Sequence, residues 1–150
     1  MILGLRCSSK DYAYAVLDGS RDKPVVVASG LIPFPRNQSR MQSAYWFYQE
    51  LEEILRTHKC TKIVIRGSES RTKNASLVER IEHESMAYVA GGKNGIKFVG
   101  RKIRATLAKD LGLKGKASYL ETKLDCSPIP GFDALADKVQ EAIISGWSEL

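Results

Sequence analysis

The sequence predicts an α/β domain built on one mixed five-stranded sheet, three antiparallel strands followed by two parallel ones, with helices on both faces. Two patterns carry this. Within residues 2–32, three extended apolar runs are joined by short polar turns, which makes an antiparallel meander. Two further apolar runs, 62–66 and 96–99, each follow a stretch of helical periodicity, the spacing of a parallel crossover. At 150 residues the chain is expected to form one domain, 1–150, with enough core to need no staples.

Ile2, Leu3 and Leu5 form a short apolar run suited to a buried strand, and residues 7–10 form a turn. Tyr12, Tyr14 and Val16 alternate with Ala13, Ala15 and Leu17, so the second strand is covered on both faces. After polar residues 18–23, Val25 opens a third strand that reaches Leu31 or Ile32. Pro33, Pro35 and Asn37 end it. A helix is expected over 39–58, with Ala44, Tyr48, Leu51 and Leu55 at helical spacing. Residues 45–48 are Tyr-Trp-Phe-Tyr and cover every side of one turn. The expectation is core plus rim, with a contact between two copies as the alternative.

Residues 62–66 read as the fourth strand and 67–72 as a polar loop. The second helix is expected over 74–90, with Leu77, Ile81, Ser85, Tyr88 and Val89 inward and Gly91-Gly92 as its stop. The fifth strand follows at 96–99. A short helix over 101–111 turns Ile103, Leu107 and Leu111 inward, and another helical turn lies within 118–124. Pro128, Pro130 and Gly131 form a linker before a last helix over 132–147.

The charge balance is 23 Lys+Arg against 17 Asp+Glu, a net +6. Nine bases and two acids fall between 93 and 123, so the rest of the chain is slightly acidic. That clustering favours a polyanion partner, nucleic acid first. Cys7, Cys60 and Cys126 show no CxxC spacing, which fits reduced thiols in the cytoplasm. No apolar run is long enough for a membrane span, and no signal peptide develops. His58 and His83 lack partners at metal-ligand spacing, there is no G-x-S-x-G elbow, and 91–95 lacks the P-loop spacing. No cofactor is expected from these residues.

The order βββ-α-β-α-β-α-α is the ribonuclease H-like arrangement. Residues 2–17, ILGLRCSSKDYAYAVL, resemble the opening of the RuvC/YqgF branch of that superfamily, typically I-L-G-I-D-P-G-S followed after a few residues by G-Y-A-V-I. Residues 73–117 resemble the branch's Asn-led helix, short strand and Lys-bearing segment, and FDALADKVQEAI at 132–143 resembles its final Asp-rich helix.

The resemblance implies a structure-selective nuclease for DNA junctions. It would use two Mg²⁺ ions held by carboxylates from the first strand, the end of the fourth strand and the last helix. Carried over by position, the first-strand Asp falls on Arg6 and the fourth-strand Glu on Gly67, or on Arg66 if the register slips by one. The last-helix Asp falls on Asp133, with Asp137 one turn later on the same face. A guanidinium at the metal position repels Mg²⁺. Arg6 is therefore expected to lock a degenerate site, with Asp137 as its partner.

Three functional readings follow. One is a nucleic-acid-binding module with a degenerate metal position at Arg6 and Gly67. Another is an active Mg²⁺-dependent, Holliday-junction-resolvase-like endonuclease, with Glu69, Asp133 and Asp137 as catalytic carboxylates and Asp133 and Asp137 as metal ligands. The last is a non-catalytic interaction or oligomerisation module. Nucleic-acid contacts are expected from Arg66, Arg71, Lys73, Arg101, Lys102, Arg104, Lys114 and Lys116. The expected partner is DNA, branched DNA included, and a homodimer is expected by analogy with relatives.

Overall fold

The computed structural model describes residues 1–69 and 74–150. Arg71 and Lys73 lie outside the described residues. The strands are β1 (Ile2–Cys7), β2 (Asp11–Ser20), β3 (Lys23–Pro33), β4 (Lys62–Arg66) and β5 (Phe98–Lys102). The helices are α1 (Arg40–His58), α2 (Ala75–Lys93), α3 (Arg104–Asp110), α4 (Tyr119–Thr122) and α5 (Asp137–Trp147). One sheet orders the strands β3-β2-β1-β4-β5. The first three are antiparallel and β1, β4 and β5 run parallel, as the sequence predicts.

Strand alternation divides the side chains between two cores. Leu3, Leu5, Cys7, Tyr12, Val16, Ile63 and Ile65 pack under α1 and α2. Ala13, Ala15 and Leu17 pack under α5, against Val139, Ala142, Ile143 and Trp147. On β1 the α5 face carries Ile2, Gly4 and Arg6. A Cβ on Gly4 would sit 1.9 Å from the Ala142 carbonyl oxygen, and one on Gly146 would sit 2.4 Å from Leu17 Cδ1. These two glycines let α5 lie backbone to backbone on β1, which brings the next turn of α5 over Arg6.

Helix α1 begins at the Ser39 N-cap in a complete capping box, with Gln42 closing it. Phe47, Leu51 and Leu55 are its buried residues. Of the aromatic cluster, Phe47 is core, Trp46 and Tyr48 pack against it, and Tyr45 is 61% exposed. That is the expected core and rim.

The structure differs from expectation in three places. The inner face of α2 is His83, Glu84, Ala87, Ala90 and Gly91, while Ile81, Tyr88 and Val89 are exposed. The cause is close packing. A Cβ on Gly91 would meet Val99 Cγ2 at 2.5 Å, so Gly91 seats α2 on the sheet, and the helix continues to Lys93 instead of stopping there. The fifth strand extends over Arg101 and Lys102, so α3 starts only at Arg104 and Ile103 is 45% exposed. The last helix is broken. Phe132–Ala134 is a 3₁₀ turn, and Leu135 and Ala136 are extended, with ψ of 152° and 142°. Gln140 Nε2 donates back to the Phe132 and Leu135 carbonyls at 3.0 Å each, holding this break.

No helix among the described residues is long and apolar enough to cross a membrane. Cys7, Cys60 and Cys126 are free, and burial pushes the Cys60 thiol up to about 11.

Candidate functional site

The C-terminal ends of β1 and β4 lie side by side, with Leu5 paired to Ile65. The next residue on each strand is an arginine, and alternation turns both Arg6 and Arg66 toward α5. Two like charges on neighbouring strands repel unless an anion sits between them. Here it is Glu141, one turn into α5. Arg6 Nε donates to Glu141 Oε2 at 2.6 Å, and Arg66 Nη2 lies 3.6 Å from Oε1. Arg66 also lies 3.6 Å from Glu69 Oε1, which accepts the Arg104 backbone N–H at 2.6 Å. Its side chain is 8% exposed, and burial pulls the Arg66 guanidinium below its usual value, against Glu141 and Glu69. Arg6 and Arg66 further donate to the carbonyls of Cys7 and Gly67, so the charge is tied to backbone as well.

A second carboxylate extends the cluster across the sheet edge. Glu84 is 2% exposed, with Oε1 accepting from Arg80 Nε at 2.7 Å. Arg101 Nε lies 2.8 Å from Oε2, an ion contact outside hydrogen-bond alignment. Arg80 in turn donates to the Arg66 carbonyl, joining the two halves. Lys102 faces inward, paired with Glu149 at 2.6 Å and Asp110 at 2.7 Å.

The predicted carboxylates are not brought together as expected. Asp133 sits on the 3₁₀ turn and Asp137 starts α5 beyond the break, so they share no helix face. Arg6 pairs with Glu141, not Asp137. Asp133, Asp137 and Glu141 do line one cleft of about 1010 Å³, beside Arg66 and Arg104. Glu69 is held at the end of β4 by Arg66 and Arg104. On the hairpin, Lys138 takes Asp11 at 2.6 Å. Burial alone would raise the Asp11 carboxyl, but Lys138 and the Ser8 hydroxyl outweigh it and hold it low.

Of the predicted cationic contacts, Lys114 and Lys116 are exposed. Arg101 is committed to Glu84, Arg104 is ion-paired with Glu121, and Arg66 and Lys102 are buried. Lys102 therefore serves an internal pair instead of a polyanion.

The resemblance implies paired Mg²⁺ here, which needs converging oxygen donors. The position instead holds two guanidiniums whose carboxylates are already engaged. Among the described residues, no group of three or more Asp, Glu, His or Cys comes close enough to hold a metal ion. The side chains present do not fit a two-metal centre.

Sequence reading missed Glu141, Glu84 and Arg80. The signal for Glu141 was the Ala142 and Gly146 spacing, a pair of small residues four apart that marks the helix face nearest the sheet.

Comparison with solved structures identifies the class: the fold is ribonuclease H-like, of the RuvC kind. The Thermus thermophilus RuvC structure matches with a TM-score of 0.78 at 12% identity, covering 98% of this chain and 91% of that one. T. thermophilus RuvC in complex with Holliday junction substrate matches at 0.74 and 10% identity, covering 98% and 90%. The yeast mitochondrial Holliday junction resolvase Ydc2 matches at 0.58 and 15%, covering 98% and 78%. At these identities the likeness is one of fold. The Periviscerokinin family model matches residues 28–36, a piece of β3 and its following loop too short to show a family. No curated protein matches the sequence.

Proposed function

We propose that this chain is a single-domain, cytoplasmic nucleic-acid-binding module on a RuvC fold, with an arginine–glutamate cluster in place of the nuclease metal centre. The observation that carries this is the Arg6–Glu141 pair at 2.6 Å with Arg66 against the other carboxylate oxygen. A fixed cation there holds the strand ends and α5 together, the structural part of what bound metal would do, without activating water. Nucleic acid is the partner because an exposed cationic surface remains. Lys97, Lys109, Lys114, Lys116 and Lys123 are all exposed within residues 97–123. One fold relative is described in complex with a Holliday junction, which makes branched DNA the first probe.

The test is anisotropy titration of branched, duplex and single-stranded DNA and of RNA over a salt series with Mg²⁺, with probe integrity read on a gel. The expected result is binding that weakens steeply with salt and leaves every probe intact. Absence of salt-dependent binding to all probes removes the nucleic-acid reading. Mg²⁺-dependent cleavage restores the nuclease reading with Glu69, Asp133 and Asp137 as the first acids to replace.

A homodimer is supported by a separate observation. Met41 and Tyr45 on α1 and Val78, Ile81, Tyr88 and Val89 on α2 are large, apolar and exposed on two helices that pack together. Sedimentation velocity of the chain and of Ile81→Glu checks this, with a dimer expected for the first and a monomer for the second.

A further inference from the structure

We propose that the cleft between α5 and the α3–α4 segment is a docking groove for a basic amphipathic segment of a partner protein. This inference does not depend on nucleic-acid binding, because it concerns the part of the surface with the opposite charge.

The cleft measures about 1010 Å³. Its floor is apolar, with Leu107, Leu124, Ile129, Phe132 and Ile144 among its lining residues. Five acids also line it, Glu121, Asp125, Asp133, Asp137 and Glu141, against two cations, Arg66 and Arg104. Both cations are already neutralised, Arg66 by Glu141 and Glu69 and Arg104 by Glu121. Asp125 accepts the Ser127 N–H at 2.9 Å and keeps its charge. Asp125, Asp133 and Asp137 are exposed and make no ion pair among the described residues.

The chain as a whole carries +6, yet this groove has a surplus of negative charge over an apolar floor. Phosphate backbones are repelled from such a surface. A segment with apolar side chains on one face and Lys or Arg on the other meets both halves of it, the apolar face on Ile129, Phe132 and Ile144 and the cations on the three exposed aspartates. The neighbouring lysines do not oppose this. Lys116 and Lys123 sit over the Tyr119 ring, at 5.4 and 4.3 Å from its centroid, and do not line the cleft.

Three synthetic peptides test it against the full chain: an amphipathic Leu/Lys helix, the same helix with Glu for Lys, and a scrambled Leu/Lys peptide of equal composition. Affinity is read by anisotropy and location by backbone NMR shifts. The amphipathic Leu/Lys peptide is expected to bind and to shift Phe132, Gln140 and Ile144. The double variant Asp133→Asn, Asp137→Asn, at two exposed positions, is expected to bind it about tenfold more weakly while staying folded, with only a small drop in melting temperature from the lost charge at the α5 N-terminus. Equal binding of the Glu or scrambled peptide overturns the proposal. So does unchanged affinity of the double variant, or a DNA oligonucleotide that shifts the same groove residues.

Discussion

Two charged regions of this molecule behave in opposite ways. At the ends of β1 and β4, Arg6, Arg66, Arg80 and Arg101 are consumed by Glu141, Glu69 and Glu84. From α3 to the residue after α4, Lys109, Lys114, Lys116 and Lys123 are exposed and make no ion pair among the described residues, Lys116 and Lys123 resting over the Tyr119 ring. The contrast teaches that count and clustering of charge do not tell what charge is for. Buried arginines bridged by carboxylates hold elements together, and removing one partner is costly. Exposed lysines contribute little to stability and are free to meet a partner.

Lifting α5 off β1 puts this contrast under the greatest strain. Gly4→Ala places a methyl 1.9 Å from the Ala142 carbonyl, in backbone that has no room to yield. A loss of at least about 3 kcal/mol is expected in urea unfolding, because α5 must shift and Glu141 with it. Next comes Glu84→Gln, which leaves Arg80 and Arg101 facing each other without an anion. Arg80 is 12% exposed but Arg101 is 36% exposed, so solvent takes up part of the penalty and a loss of about 3 kcal/mol is expected.

A smaller, pH-dependent effect belongs to His83. The ring stacks on Phe34 at 3.9 Å and lies 3.3 Å from both Ser43 Oγ and the Ser8 carbonyl. Burial pulls its pKa below the ordinary 6.5, against the Ser8 carbonyl. The unfolded chain therefore takes up the proton first. The His83 contribution is full above about pH 6.5 and is lost as pH falls below it. Unfolding measured from pH 7.5 down to 5 is expected to show this slope and His83→Gln to flatten it. The least effect on stability, within about 0.5 kcal/mol, is expected for Lys114→Ala with Lys116→Ala. The same pair is expected to weaken DNA binding and to lower its salt slope by about 1 for each phosphate left without its lysine.

The sheet was legible from the sequence because strand runs are short, apolar and separated by turns, and the bounds of β4 came out as read. The helix faces were less so. Periodicity reports where apolar residues recur, but α2 turns Ala87, Ala90 and Gly91 to the sheet because small residues allow the closest approach. The larger Ile81, Tyr88 and Val89 are left outside. The same physics hid the site. Arg6 was recognisable as a cation where the resemblance implies a metal-binding Asp, but its partner depended on the helix break at Leu135 and Ala136, a backbone feature with no Pro or Gly at either residue to announce it. With the break, Asp133 leaves the helix and Glu141 arrives over Arg6.

The central claim is that a guanidinium–carboxylate cluster stands where divalent ions would otherwise be held. Incubation of the unaltered chain with a four-way DNA junction and Mg²⁺ tests it most directly. The account predicts a bound and intact junction. Mg²⁺-dependent nicking by the wild type that disappears in Glu141→Gln would contradict it.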